Sequence, residues 1–249
     1  MDNIRIRGLE PDDDKAFNSK QIEKLIMVQQ ELQFLLDKGY PMKSAMTFIG
    51  NHHQLTSRQS LAVMRCTAPA DSLSARDSKR LDPDDLTGKT VYIDGFNQII
   101  TLEVALSDGM LFVGQDSGVR DLAELRGTYR LIPQTGTAIG IIRDICAGLN
   151  ISRAVFLLDE PVSNSGRLKS KIYDTDWPLR VETRILRNPD AELKKLPFVV
   201  TSDSIILDGC VSWFNMTEYV LETHGDFRRL TRLVKLDKRE NGINRHLRQ

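Results

Sequence analysis

Three short apolar runs that each end in an aspartate constrain the fold of this chain more than any other feature. The runs are Val91–Asp94, Ala154–Asp159 and Phe198–Asp203. Their β-branched and aromatic residues predict buried strands, and the helical spacing between them indicates an α/β sheet. Open parallel sheets bind ligands beyond the carboxyl ends of their strands. We therefore expect the three carboxylates to meet at one edge of one sheet.

Such a group of carboxylates predicts a site for a divalent cation. The acids repel one another, and Mg²⁺ or Mn²⁺ would neutralise them with oxygen ligands and could activate water beside a phosphate. Asp94, Asp159 and Asp203 are the predicted metal ligands and catalytic acids. Asn97 is the predicted catalytic partner that orients a metal-bound water or a phosphate oxygen. The alternative is that each aspartate only caps the following helix, because Asp is a preferred N-cap residue.

The periodicity divides the 249 residues into four segments. We predict a helical domain over 1–66, a linker over 67–88, an α/β domain over 89–224 and a basic tail over 225–249. In the first segment, helices over 20–38 and 41–49 are followed by a capping box at Thr56 and Gln59. The linker is assigned from a Ser-, Asp-, Pro- and Ala-rich stretch without periodicity.

The sequence also predicts a helical turn and a short helix within the α/β domain. Asp121–Glu124 resembles a single helical turn. After a strand over 179–186, Asn188-Pro189-Asp190 is predicted to turn the chain into a short helix over 192–196.

Basic and hydroxyl side chains at three places favour contact with a nucleic acid. The second and third helices resemble a helix-turn-helix with a long turn, a polar loop near residue 118 could hold a phosphate, and so could the helix after Asp159. The predicted contacts are Arg58, Arg65, Arg120, Arg130, Ser163, Ser165 and Arg167. The alternatives are a helical docking module and an ordinary hairpin loop.

The tail is either a nucleic-acid-binding arm or a solvated segment. Its basic residues are Arg228, Arg229, Arg232, Lys235, Lys238, Arg239, Arg245 and Arg248.

Composition excludes few classes of protein. With 41% hydrophobic and 27% charged residues, the chain suits a globular protein, and its net charge of +0 says nothing about partners. The 3 cysteines lack metal-type spacing and are typical of a reducing cytosol. Because no apolar run approaches the roughly 20 residues of a membrane span, we expect a cytoplasmic protein without a membrane partner. A homo-oligomer remains open.

Short motifs in the α/β segment resemble the PIN-like superfamily, especially its NYN branch. They are Val91–Asn97, Leu157–Gly166 and Thr201–Asp203. The chain also resembles a group of uncharacterised prokaryotic proteins that join a small helical domain to a PIN-like domain. That second resemblance is carried by Gly39-Tyr40-Pro41, Gly50-Asn51 and Gln54-Leu55-Thr56.

The resemblance implies a Rossmann-like, PIN-type three-layer α/β/α domain with a mostly parallel sheet, preceded by a small three-helix domain. It also implies an endoribonuclease that uses Mg²⁺ or Mn²⁺ to hydrolyse RNA, with Asp94, Asp159 and Asp203 as the acidic site. Ile205 departs from the pattern, since a second acid often stands there. An acid between the first two strands is also common in the family, and its candidates here are Glu103, Asp116 and Asp121.

Two other functions remain open at this stage. One is a non-catalytic RNA- or DNA-binding protein. The other is a phosphoryl-transfer enzyme that acts on a small phosphate ester, although Phe96 stands where one common kind has its second acid.

Overall fold

The computed structural model of the chain describes residues 7–124 and 127–236. The helices before residue 80 are α1 Asp13–Ala16, α2 Ser19–Asp37, α3 Met42–His52, α4 Ser57–Cys66 and α5 Ala70–Asp77, and a 3₁₀ turn covers Pro83–Leu86. Strands and helices then alternate as β1 Thr90–Asp94, α6 Gly95–Leu106, β2 Met110–Val113, β3 Val119–Arg120, α7 Gln134–Gly148, β4 Arg153–Asp159, α8 Ser165–Tyr173, β5 Arg180–Leu186, α9 Pro189–Leu193, β6 Val199–Val200, α10 Ser204–Gly209, β7 Trp213–Phe214, α11 Met216–Thr223, α12 Gly225–Leu230 and β8 Arg232–Lys235.

The predicted parallel sheet is confirmed. Its strand order is β5-β4-β1-β6-β7, and every neighbouring pair is parallel. From the central β1 the chain moves outward through β4 and β5, then returns to the other side of β1 through β6 and β7. The reversal creates a topological switch point between β1 and β6, where open α/β sheets form a crevice beyond the strand ends. Asp94 is the last residue of β1 and lies at this crevice, and Thr201 directly follows β6.

Helices cover both faces of this sheet. Alternate residues of β4 show the two sides, because successive side chains of a strand point to opposite faces. Ala154, Phe156 and Leu158 lie in a core with residues of α6, α7 and α11. Val155 and Leu157 lie in a second core with residues of α9 and α10. The domain is therefore a mixed α/β fold with a mostly parallel sheet between helical layers.

The N-terminal helices share a core with a second, smaller sheet. In that sheet β2 lies between β3 and β8. Leu25 and Leu32 of α2 are fully buried in one cluster with Phe112 of β2 and Val234 of β8. The rings of Phe17 and Phe112 meet edge to face at 4.8 Å. The helical segment is thus packed on the α/β segment, and the capping box at the start of α4 is confirmed.

The segment predicted as a linker contains ordered structure. Helix α5 packs against α2 and α10, and the side chain of its Arg76 is buried. The indole of Trp213 donates a hydrogen bond to the carbonyl of Arg76 at 2.8 Å. Composition alone did not indicate this helix, because its buried contacts are made with elements far away in the sequence.

The region predicted as a basic tail begins as part of the fold. Helix α12 follows α11, and β8 pairs in parallel with β2. Arg228, Arg229, Arg232 and Lys235 lie in these elements, whereas Lys238, Arg239, Arg245 and Arg248 lie outside the described residues.

The helical turn predicted at Asp121–Glu124 is wrong. The segment is irregular, because the carboxylate of Asp121 accepts bonds from the backbone of Ala123 and the hydroxyl of Thr101. Across 7–124 and 127–236, no helix has the length and apolar character needed to cross a membrane.

Candidate functional site

Asp94 lies at the switch point and is only 8% exposed. Its Oδ2 accepts a hydrogen bond from the Thr201 hydroxyl at 2.8 Å. Burial is the largest cause of an increase in the pKa of Asp94 to about 8. The charges of Asp203 and Asp190 also raise this pKa, whereas the Thr201 bond and the backbone amide of Asn97 lower it. Without a cation the carboxyl is mostly protonated at neutral pH.

Gly95 allows helix α6 to begin directly against β4. A Cβ at this position would lie 2.4 Å from Cδ2 of Leu158 and 3.1 Å from the carbonyl oxygen of Leu157. The glycine therefore lets the backbone after β1 pack directly against β4, so that α6 begins beside the Asp94 carboxyl.

Asn97 fastens the first turn of α6 to the loop after β6. Its Oδ1 accepts bonds from the backbone N–H of Ser202 at 3.0 Å, from the Ser202 hydroxyl at 3.1 Å and from Nε2 of Gln98 at 2.8 Å. A backbone N–H can only donate, so the accepting atom must be the amide oxygen. Asn97 consequently offers N–H donors to a phosphate or a water, and its oxygen is already used.

Asp203 follows β6 and caps α10. Its Oδ1 accepts from the backbone N–H of Ile205 at 2.7 Å and of Ile206 at 3.3 Å. The capping alternative is therefore true of this residue. Only one of its carboxylate oxygens is used in these bonds, and its charge still raises the pKa of Asp94.

Asp159 ends β4 and is partly exposed. Burial, followed by the charge of Asp190, raises the pKa of its carboxyl. The strand register places Leu157, two residues before it, beside Asp94 of β1. Asp159 thus stands one strand away from the switch point and slightly beyond it.

Asp190 is the acidic residue that the sequence reasoning missed. It lies in the first turn of α9, which begins at Pro189 rather than near residue 192. The cause is a cap, since the side chain of Asn188 accepts from the backbone N–H of Ala191 at 3.1 Å. The Asn-Pro-Asp sequence after a strand could have revealed it, because Asn at the cap and Pro at the first position signal a helix start.

Asp190 is the shared neighbour of the other three acids. Its charge raises the pKa of both Asp94 and Asp159. Its own pKa is raised by burial first and by Asp203 second, and is lowered by Lys194. Four carboxyl groups are therefore linked electrostatically at the carboxyl edge of the sheet, with Asp159 linked to the others through Asp190.

Direct ligation of one ion by three of these acids does not match the geometry. Among residues 7–124 and 127–236, no group of three or more acidic, His or Cys side chains is placed to hold a metal ion. The available donors are all oxygen, which suits a hard cation that keeps several waters. His52 and His53 lie at the end of α3, and Nε2 of His53 is 2.7 Å from the carboxylate of Glu31.

Three of the predicted nucleic-acid contacts bind other residues of the protein. Arg58 binds the Asp13 carboxylate and two backbone carbonyls. Arg65 pairs with a carboxylate in the loop after β3. Arg120 is buried and bound to Asp116. The guanidinium groups of Arg58 and Arg120 therefore have little capacity left for phosphate, whereas the Arg65 side chain is still 33% exposed.

The other predicted contacts lie around the start of α8. The Ser163 hydroxyl donates to the carbonyl of Tyr129, and the Ser165 hydroxyl donates to carbonyls at the end of β4 and in the loop after it. Arg130 and Arg167 are exposed on this side of the molecule. For the two arginines, contact with a nucleic acid stays a prediction, and the two serines shape the loop.

The three candidates for an acid between the first two acidic strands have other functions. Glu103 is fully buried and accepts a bond from the Tyr129 hydroxyl at 2.7 Å. Asp116 is held by two arginines. Asp121 accepts from Thr101 at 2.9 Å. None of them is among the charges that shift the pKa of Asp94.

Two family models match this chain. One, described as "Domain of unknown function (DUF5616)", matches residues 83–219. The other, described as "Protein of unknown function (DUF434)", matches residues 24–79. A protein of Methanocaldococcus jannaschii named "Uncharacterized protein MJ0935" is 32% identical over 181 residues, which cover 72% of this chain and 86% of that protein. No solved structure matches the chain.

Proposed function

We propose that this chain, which belongs to the family described as "Domain of unknown function (DUF5616)", hydrolyses phosphodiester bonds in RNA with the help of Mg²⁺ or Mn²⁺. One observation carries the proposal. A buried carboxyl, that of Asp94, stands at the topological switch point of a parallel sheet, among the charges of Asp190 and Asp203. Substrates of open α/β sheets bind at this place.

Electrostatics favours an anionic substrate that arrives with a cation. Those carboxyl groups that are ionised would repel a phosphate, and the pKa of Asp94, Asp159 and Asp190 is raised by burial first and by the charges of neighbouring acids second. A divalent cation would remove both penalties and would supply activation of water and stabilisation of charge on the phosphate. Asp94 and Asp190 are the groups that would hold it, with Asp203 and Asp159 reaching it through water.

The other side chains would bind and orient the RNA. The amide N–H groups of Asn97 would donate to a phosphate or a water, because its oxygen already accepts hydrogen bonds from Ser202. Exposed Arg130 and Arg167 would contact phosphates beyond the scissile one, with salt-dependent strength. The resemblance of the strand-end motifs to the NYN branch of the PIN-like superfamily supports RNA as the polymer, structured or transfer-type RNA included.

The test compares purified wild type with Asp94→Asn and Asp190→Asn on a mixed set of structured and single-stranded RNAs. We expect Mn²⁺- or Mg²⁺-stimulated cleavage by the wild type, a loss of at least about 100-fold in Asp94→Asn, and a smaller loss in Asp190→Asn. Asp174→Asn is the matched control, because it neutralises an exposed carboxylate on α8's end. Chelation should abolish cleavage in both the wild type and this control.

Three results would contradict the proposal. Equal cleavage by wild type and Asp94→Asn would remove this site from the chemistry. Salt-dependent RNA binding without hydrolysis under any divalent cation would assign the chain a binding role. Release of phosphate from a small ester, with RNA left intact, would point to phosphoryl transfer on small molecules.

A further inference from the structure

A buried group of two arginines and one aspartate contacts the loop between β6 and α10. This loop contains Asp203 and is called the Asp203 loop below. Asp116 accepts from Nη2 of Arg120 at 2.6 Å and from Nη1 of Arg76 at 2.7 Å. The side chains of Asp116, Arg120 and Arg76 are 2%, 6% and 5% exposed. Burial alone would raise the pKa of Asp116, but the two guanidinium groups lower it to about 2. The carboxylate is therefore charged, and we name these three residues the clasp.

The remaining donors of the clasp bind the backbone on both sides of Asp203. Nε of Arg120 donates to the carbonyl of Ser202 at 2.8 Å. Nη2 of Arg76 donates to the carbonyl of Ser204 at 3.3 Å, and its Nε binds the Asp208 carboxylate at 2.7 Å. Two guanidinium groups thus bind the backbone carbonyls of the Asp203 loop, while the side chain of Asn97 binds the N–H and the hydroxyl of Ser202 in the same loop.

The sequence around Asp116 is adapted to this contact. A Cβ at Gly114 would lie 2.1 Å from Nη1 of Arg120 and 2.7 Å from Oδ1 of Asp116. A Cβ at Gly118 would lie 3.0 Å from each of these two residues. The two glycines let the backbone close around the ion pair, and the backbone N–H of Gly118 donates to Asp116 at 3.0 Å. No such closeness is needed for an ordinary hairpin.

We infer that Arg76 and Arg120, clamped by Asp116, are positioning residues that hold the Asp203 loop against Asn97. The inference deepens the proposed function and depends on it for its catalytic meaning. Arg76 lies on α5, within the segment that matches the DUF434 model, whereas Asp116 and Asp203 lie within the DUF5616 match. The N-terminal segment therefore contributes to the geometry of the site through a side chain that never reaches it.

The experiment measures amide hydrogen exchange and ¹H–¹⁵N spectra of the full chain for Arg120→Gln and Arg76→Lys. Lysine keeps the charge but lacks the planar fork whose separate nitrogens bind Asp116, Asp208 and a carbonyl, so it tests geometry in a variant that is milder than Arg120→Gln. We expect exchange of the Ser202 N–H to become roughly tenfold faster or more, because the loop opens locally. The side-chain amide signals of Asn97 should shift in the same variants.

The matched control is Arg58→Gln, which breaks another internal arginine–aspartate pair, with Asp13. It should lower the midpoint of thermal unfolding without changing the Ser202 exchange or the Asn97 signals. If Arg120→Gln and Arg76→Lys behave like this control, the clasp is only structural and the inference is overturned. Should Arg120→Gln fail to fold, Arg76→Lys decides.

Activity gives a separate reading. If the wild type cleaves RNA, the clasp variants should lower kcat with KM nearly unchanged, because they displace the Asp203 loop and leave the exposed RNA contacts in place. An unchanged kcat together with faster Ser202 exchange would also overturn the inference. If the wild type cleaves nothing, the proposed function fails, while the exchange and the spectra still decide whether the clasp positions the loop.

Discussion

Because the Asp94 carboxyl is buried, we predict that it changes how the free energy of unfolding depends on pH, and this can be measured without a substrate. In the folded protein its pKa is raised from 3.8 to about 8. Between these values the folded state binds a proton that the unfolded state has released, so the stability contributed by this group decreases as the pH rises. Below pH 4 both states are protonated, and the group has no effect. The Asp94→Asn variant has no titratable group at this position, so its free energy of unfolding should lack this dependence on pH.

The magnitude follows from linkage. Each unit of pKa shift corresponds to about 1.4 kcal/mol, so a shift of about four units corresponds to an upper limit of roughly 5–6 kcal/mol above pH 8. The Thr201 hydroxyl can still donate to the amide oxygen of an asparagine, so the variant should retain the bond that Asp94 accepts at 2.8 Å. Asp94→Asn should therefore unfold at a similar urea concentration at pH 4.5 and be more stable by several kcal/mol at pH 8.

The assay is urea unfolding of both proteins from pH 4.5 to 9 in the presence of a chelator. The difference in the free energy of unfolding should rise by about 1.4 kcal/mol per pH unit up to about pH 8, then level off. Asp174→Asn, which alters an exposed carboxylate, should follow the wild type at every pH. Parallel curves for wild type and Asp94→Asn would refute the argument that burial holds this carboxyl in its neutral form.

Two further predictions concern the framework of the site. Gly95→Ala should lower the free energy of unfolding by about 1–3 kcal/mol in urea denaturation, because its Cβ would meet Leu158 at 2.4 Å. Gly140→Ala in α7, which has nothing within 4 Å of its Cβ, should be neutral or stabilising, and an equal loss in both variants would argue against the close contact. Thr56→Ala removes the cap of α4 and should lower stability by roughly 0.5–2 kcal/mol in the same assay; Thr56→Ser should retain most of it, and a loss as large in the serine variant would exclude the capping hydrogen bond as the cause.

Local patterns predicted those parts of the fold that depend on neighbouring residues. The apolar run before Asp94 predicted a buried strand, and Thr56 with Gln59 predicted a helix start, because strand burial and capping are read within a few residues. Parallel pairing of such strands then places their ends at one edge, so three of the four acids of the site were found from the sequence.

Contacts between distant segments could not be read in the same way. Arg120 was expected to hold a phosphate, yet it lies buried against Asp116 and Ser202. Nothing in the local sequence distinguishes an arginine that binds a ligand from one that binds the protein, since both need the same guanidinium chemistry. Asp190 was missed because Asn188-Pro189-Asp190 was interpreted as a turn and not as a capped helix start, and because its neighbour Asp94 is far away along the chain.

The amino-acid sequence by itself determined the parallel sheet, the capped helices and the aspartates that end β1 and β4 or follow β6. Tertiary structure alone decided which charges meet, because the pKa of a carboxyl depends on burial and on charges brought near by folding. Folding raises the pKa of the Asp94 carboxyl and brings Asp190 close to the other acids. It also pairs Arg58, Arg65 and Arg120 with carboxylates of the protein. Periodicity specifies the elements, and packing between them specifies the electrostatics of the crevice.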